Sequence, residues 1–152
     1  MVLFHSAPML LSPGSIIRPG NYGRIIRQVG EKHCFWQREA VLERVRAERF
    51  ADKPSRLASC FACSSIDAAR CYRDKQCPTC VIYTVEKADA KASEHRADFN
   101  VVQPLPRRSE NMEQIAELYW RSALWCTVAE WPGVRCEEVV TCSPLRIIDQ
   151  ID

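Results

Sequence analysis

The chain has 152 residues, of which 47% are apolar and 26% charged, and its formal net charge is +2. That length suits a single domain spanning residues 1–152 with a core of its own, and so small a net charge creates no field that argues for nucleic acid or a membrane surface. No apolar run approaches the roughly 20 residues a membrane-spanning helix needs, and the opening MVLFHSAPMLL has a proline-broken apolar run with no basic stretch before it, so no signal peptide is expected.

The nine cysteines are an odd number. Without a secretory signal they are expected in a reducing cytoplasm, as free thiols, metal ligands or catalytic groups rather than as a disulfide frame. Arginine outnumbers lysine 16 to 5, a bias that suits bidentate contacts to phosphate or carboxylate.

Along the chain, Val2 to His5 reads as a short strand ending in a histidine. Pro13-Gly14 and Pro19-Gly20 are turn signals around a short extended piece, Ser15 to Ile17. A second extended piece is expected at Arg24 to Val29. The glycines flanking Asn21-Tyr22 permit a close backbone approach and would present Tyr22 outward. From Glu31 to Phe50 the apolar spacing is helical, with the charges forming a solvated face, and Pro54 forbids continuation.

Leu57 to Cys63 predicts a short buried strand. Ser64 then caps a helix that ends between Asp74 and Pro78, and Val81 to Val85 predicts a further strand. Glu86 to Arg96 is polar, with His95 expected at the surface or as a base positioned by Asp98, and Phe99 to Val102 predicts a strand. Ser109 is expected to cap a helix with Met112, Ile115, Ala116, Tyr119, Trp120 and Ala123 on one face. Glu138 to Thr141 and Leu145 to Ile148 predict two strands joined by Cys142-Ser143-Pro144 as a hairpin or a bend. The mixture predicts an α+β fold.

Two readings compete for the stretch from Pro54 to Val85. Cys60-x-x-Cys63 and Cys77-x-x-Cys80 lie thirteen residues apart, close to the spacing of a zinc ribbon. Such a site would make the protein a zinc-stabilised module binding nucleic acid or protein. Against it, Cys63 is followed by Ser-Ser and Cys80 by Val-Ile-Tyr, neither of which makes the glycine turn of a ribbon knuckle. The other reading takes the cysteines as small buried residues in a strand–helix–strand unit. A third places Trp120, Trp125 and Trp131 on an apolar partner surface.

Leu3-Phe4-His5-Ser6, Pro19-Gly20-Asn21-Tyr22-Gly23-Arg24, Pro54-Ser55-Arg56-Leu57-x-Ser59-x-Phe61-Ala62, Ile82-Tyr83-x-Val85-Glu86, Tyr119-Trp120 and the strand at Glu138 occur in one order over most of the chain. Together they resemble a family of small bacterial and phage proteins of undetermined function, which in turn resembles the ADP-ribosyltransferase superfamily. The resemblance implies two small packed β-sheets forming a cleft flanked by helices, with NAD as substrate and no membrane partner. It also implies transfer of ADP-ribose to a protein, nucleic-acid or small-molecule acceptor, as by a toxin or defence effector.

Carried over by position, the resemblance makes His5 the ligand of the adenosine ribose. Ser59 and Phe61 become the middle strand of the nicotinamide pocket, and Glu138 the late acid, with Glu137 as its one-residue alternative. Tyr22, Phe61 or Tyr72 would stack on nicotinamide, and Arg24 or Arg56 would clamp the diphosphate. The chemistry suits a carboxylate, because the nicotinamide–ribose bond breaks through an oxocarbenium-like sugar whose positive charge a fixed anion stabilises. No acid stands two residues before Glu138, where Cys136 lies, and that departure argues against arginine as acceptor.

Overall fold

A computed structural model of the protein describes residues 1–103, 110–122 and 135–151. Within them run β1 (Leu3–Ala7), β2 (Ile16–Ile17), α1 (Asn21–Val29), α2 (Trp36–Arg49), β3 (Cys60–Cys63), α3 (Ile66–Gln76), β4 (Val81–Lys87), β5 (Glu94–Asp98), α4 (Met112–Trp120), β6 (Glu137–Thr141) and β7 (Leu145–Gln150). Short 3₁₀ turns occupy Gly30–Lys32, Arg56–Ala58 and Phe99–Val102. The fold is α+β, and no helix among the described residues is long and apolar enough to cross a membrane.

The strands form one antiparallel sheet in the order β2-β7-β4-β1-β3-β6-β5, where two packed sheets were expected. That sheet is nearly divided. β1 and β3 share a single register pair, Phe4 with Cys63, whereas β1 pairs with β4 at five positions and β3 with β6 at four. Freed at this seam, the two halves curl until their inner side chains meet. Leu3, Tyr83, Val85, Leu145 and Ile147 from one half share a buried cluster with Cys60, Ala62 and Val139 from the other. Although three strands separate β2 from β3 in the sheet order, the Cys60 thiol reaches the Ile17 carbonyl at 3.5 Å.

Helices cover the outer face. α2 and α4 pack Leu42, Val45, Ile115, Ala116, Tyr119 and Trp120 against Ala97 and Phe99, and α3 lays Ala68 and Ala69 on Cys63 and Ile82. A capping box starts α4: the Asn111 side chain accepts from the Gln114 N–H at 2.9 Å, and Gln114 returns the bond. The expected cap Ser109 lies outside the described residues, as do Trp125 and Trp131. Trp120 is buried, its indole N–H donating to the Leu42 carbonyl at 2.9 Å, so it presents no partner surface.

Four local expectations are corrected. Arg24 to Val29 is helical, because Gly23 and Ile26, three apart, bury one face while Arg24 and Arg27 stay outside. Ser65 rather than Ser64 caps α3, accepting from the Ala68 N–H at 3.1 Å. The strand expected at Phe99 is a 3₁₀ turn capped by Asp98, and the strand itself falls earlier, in the polar Glu94–Asp98. β6 and β7 form no hairpin: β6 lies between β3 and β5 and β7 between β2 and β4, so Cys142 to Pro144 carries the chain from one half-sheet to the other.

His95 is buried on β5, 2% exposed, against the rings of Tyr119 and Trp120. Its Nε2–H donates to the Tyr119 carbonyl at 3.0 Å. Burial, partly countered by that bond, lowers its pKa from 6.5 to about 4. Below pH 6.5 the unfolded chain therefore takes up a proton that the native state refuses, and stability falls as pH drops from about 6.5 to about 4. At roughly 1.4 kcal/mol per pKa unit the loss reaches at most about 3.5 kcal/mol. His95→Gln keeps a donor for the carbonyl and should flatten this slope in urea midpoints measured near pH 7 and pH 5. An unchanged slope would remove His95 as its source.

Candidate functional site

The seam between the half-sheets opens a cleft lined by Phe4, His5, Ser6, Phe61, Ala62, Cys63, Tyr72 and Glu138, with a cavity volume of about 40 Å³. Its geometry follows from the parting of β1 and β3. Beyond the Phe4–Cys63 pair the backbones no longer bond, and the imidazole of His5 fills the gap, its Nδ1–H donating to the Phe61 carbonyl at 2.7 Å. Burial outweighs that bond and lowers the His5 pKa, so the ring is neutral near pH 7 and its Nε2 is an acceptor. Ser6 adds a buried hydroxyl without a hydrogen-bond partner among the described residues.

Glu138 stands opposite Cys63 on β6, 2% exposed. Its Oε1 receives two charge-assisted bonds, from the Arg56 guanidinium and from the Tyr119 hydroxyl. Burial above all holds the Tyr119 hydroxyl well above its ordinary pKa, so it stays protonated and donates. The thiol of Cys63 and the phenol of Tyr72 are each pushed up to about 12, first by burial and then by the Glu138 charge. Both therefore face the cleft uncharged, and Glu138 is the anion among its lining residues.

Arg56, 3% exposed, links Glu138 to a second buried carboxylate. Its Nε lies 3.0 Å from Glu39 Oε2, and its Nη1 also donates to the Tyr119 hydroxyl oxygen at 2.6 Å. Glu39 further accepts from Tyr22 and Arg38, each at 3.1 Å. Burial acts to raise the Glu39 pKa, but the Arg56 and Arg38 charges outweigh it and hold the carboxyl below its ordinary value. The result is a buried chain of charges running from α2 to the cleft.

Of the residues singled out from the sequence, His5, Phe61 and Glu138 border the cleft together. Glu137 points to the opposite side of β6, paired with Arg135 and, at 3.8 Å, with Arg96. Tyr22 stands behind Phe61 rather than outward, its ring edge-on at 5.4 Å. Arg24 is exposed on α1 and bonds Asn21 and Gln28, away from the lining residues. Arg56 spends its donors on carboxylates and Tyr119. Ser59 locks its own turn, donating to the Ser55 carbonyl at 2.7 Å. Sequence reasoning passed over Glu39 and Tyr119, whose helical spacing looked like surface charge and core, and Ser6, which only the parting of the strands brings to the cleft.

The four cysteines of the zinc reading do not converge. Cys60 and Cys63, an odd number of residues apart on β3, point to opposite faces, into different clusters. Cys77 and Cys80 are joined to each other as a disulfide, and Cys71 to Cys136 as another, which corrects the expectation that the thiols are free. Among the described residues no group of three or more His, Cys, Asp or Glu is placed to hold a metal ion.

A divided antiparallel sheet, with a cleft at its seam lined by aromatic side chains and the Glu138 carboxylate, defines the class as a small α+β protein. Residues 14–130 match the family described as a protein of unknown function (DUF2441), and the chain belongs to that family. Phe61, Cys63 and Tyr72 fall within the matched residues, and His5, Ser6 and Glu138 outside them. No curated protein matches the chain.

Proposed function

We propose that the protein binds NAD in the seam cleft and is an ADP-ribosyltransferase-like protein acting on an acceptor in the cytoplasm. One observation supports this reading: His5, Phe61 and Glu138, far apart in the chain, border one cleft. Those are the positions at which the resemblance to ADP-ribosyltransferases puts the ribose ligand, the nicotinamide wall and the late acid. The neutral His5 Nε2 is suited to accept from a ribose hydroxyl. The Phe61 ring, backed by Tyr22, offers a face for nicotinamide.

Glu138 suits the late acid for an electrostatic reason. Arg56 and Tyr119 engage its Oε1, which fixes the carboxylate and leaves Oε2 to meet a sugar hydroxyl or the charge that develops as the nicotinamide–ribose bond breaks. At the position two residues earlier, Cys136 is buried and disulfide-linked, so no second acid is supplied there. An acceptor that needs less activation than arginine, whether protein, nucleic acid or small molecule, fits that absence, and a toxin or defence effector is the corresponding biological setting.

Nicotinamide release from labelled NAD tests the reading. Wild type should release it, Glu137→Gln should match wild type, and Glu138→Gln should be slower by about 10²–10³-fold, the usual loss of one fixed electrostatic contact to a transition state. Equal rates for wild type and a folded Glu138→Gln protein would end the catalytic assignment.

A further inference from the structure

The Cys71–Cys136 disulfide joins residues 65 apart in sequence. Each half-cystine lies beside a cleft residue. Cys71 precedes Tyr72 on α3, and Cys136 stands just before β6, two residues ahead of Glu138. The bond therefore ties the helix that carries one wall of the cleft to the strand that carries its anion. Cys77–Cys80, by contrast, joins residues three apart at the end of α3 and crosses to no other element.

We propose that Cys71–Cys136 is a redox-modification site, a reducible clamp on the cleft whose opening by a thiol loosens α3 from β6. Only the identity of the cleft's ligand rests on the NAD reading; the clamp itself does not. In the cytoplasm proposed above, a disulfide is more often redox-sensing or transient than structural. Cys136 is 1% exposed whereas Cys71 is half-buried, so Cys71 is the sulfur open to attack. A thiolate forms a mixed disulfide with Cys71 as the Cys71–Cys136 bond breaks and Cys136 leaves and takes a proton. A second thiol then attacks the mixed disulfide, frees Cys71 as its thiol and departs joined to the first. Two thiols are oxidised to one disulfide, and the protein gains two electrons and two protons.

Closure matters because the clamp spans a long loop, the case in which a crosslink removes most freedom from the open ensemble. Its loss should be felt first in local opening of the two elements it joins, before any global unfolding.

Amide hydrogen exchange on the full chain, with and without dithiothreitol, tests this without NAD. Reduction should speed exchange in residues 66–76 and 137–141 by about tenfold or more, while β4 changes little. Cys77→Ser/Cys80→Ser should keep the response, and Cys71→Ser/Cys136→Ser should show the fast pattern whether reduced or not. Unchanged exchange in wild type on reduction would overturn the proposal, as would peptide mapping that finds no Cys71–Cys136 link in protein isolated without reductant. NAD titration of the two forms should give several-fold weaker binding after reduction. Redox-sensitive exchange with no NAD binding in either form would sustain the clamp and remove the NAD reading alone.

Discussion

Arg56→Met should lower the unfolding free energy by about 3–5 kcal/mol, the usual cost of removing one partner from a buried ion pair. The guanidinium stands between Glu39 and Glu138, with both carboxylate side chains at most 2% exposed. Methionine fills the volume of the arginine stem but leaves two anions facing each other in a dry interior. Arg38 still reaches Glu39, whereas Glu138 keeps only the Tyr119 hydroxyl. The pH dependence distinguishes this cause from simple loss of packing. In wild type the Glu39 pKa lies below its ordinary 4.5, so the pair's contribution is present above that pH and is lost as pH falls through the depressed value. Without Arg56 the buried carboxyls protonate more readily than in the unfolded chain. The gap between variant and wild type should therefore narrow as pH is lowered toward 4, which urea denaturation at a series of pH values reads directly. A gap independent of pH would assign the loss to packing.

Gly23→Ala should cost about 3 kcal/mol, at the upper end for overpacking, because the obstacle is backbone rather than a side chain able to swing away. A Cβ at this position would lie 1.9 Å from the Leu57 carbonyl oxygen and 2.6 Å from its carbon. α1 would have to back away from the 3₁₀ turn at Arg56–Ala58, drawing Tyr22 off Phe61 and off Glu39. Thermal denaturation should show the loss, and any ligand of the cleft should bind more weakly because Phe61 loses its support. Gly20→Ala is the contrast. There a Cβ would find its nearest atom at 3.9 Å, and only the positive φ of 92° opposes it. Its cost should be about 1 kcal/mol, the ordinary penalty of a left-handed backbone for a residue with a side chain. Equal effects at the two glycines would contradict the close approach.

The parts of the fold legible in the sequence are those whose signal is local. The β-branched and aromatic run at Val81 to Val85, the amphipathic charge pattern leading to α2 and the apolar face of α4 each appear where periodicity puts them. What escaped was set by distant partners. β5 is an edge strand whose Glu94 and Arg96 face outward while His95 and Ala97 are buried, so its first three residues read as the end of a polar stretch. α1 looked extended because its paired isoleucines favour strands, and only the turn at Leu57 makes a helix with Gly23 inside the better solution. The curl that brings β2 to β3 has no local signature at all.

The site divides along the same line. The resemblance to ADP-ribosyltransferases carries His5, Phe61 and Glu138 over by position, and alternation along β6 separates Glu138 from Glu137 once the buried face is known. Arg56 reads as a clamp on a diphosphate or on its own loop, because nothing local announces that Glu39, seventeen residues earlier, and Glu138, eighty-two later, claim it. The two disulfides were missed for a comparable reason. Cysteine count says nothing of partners, and the pairing of Cys71 with Cys136 depends on the fold bringing α3 to the residue just before β6.

The most direct test of the account is a calorimetric titration of the purified, oxidised protein with NAD. One molecule should bind per chain, and binding should weaken at least about tenfold in His5→Ala and in Phe61→Ala, each of which deletes a contact on the cleft but none of the buried ion pairs. Circular dichroism on the same samples confirms that both variants are folded. No heat of binding to wild type, or an affinity that neither substitution changes, would contradict an NAD site at the seam of this sheet.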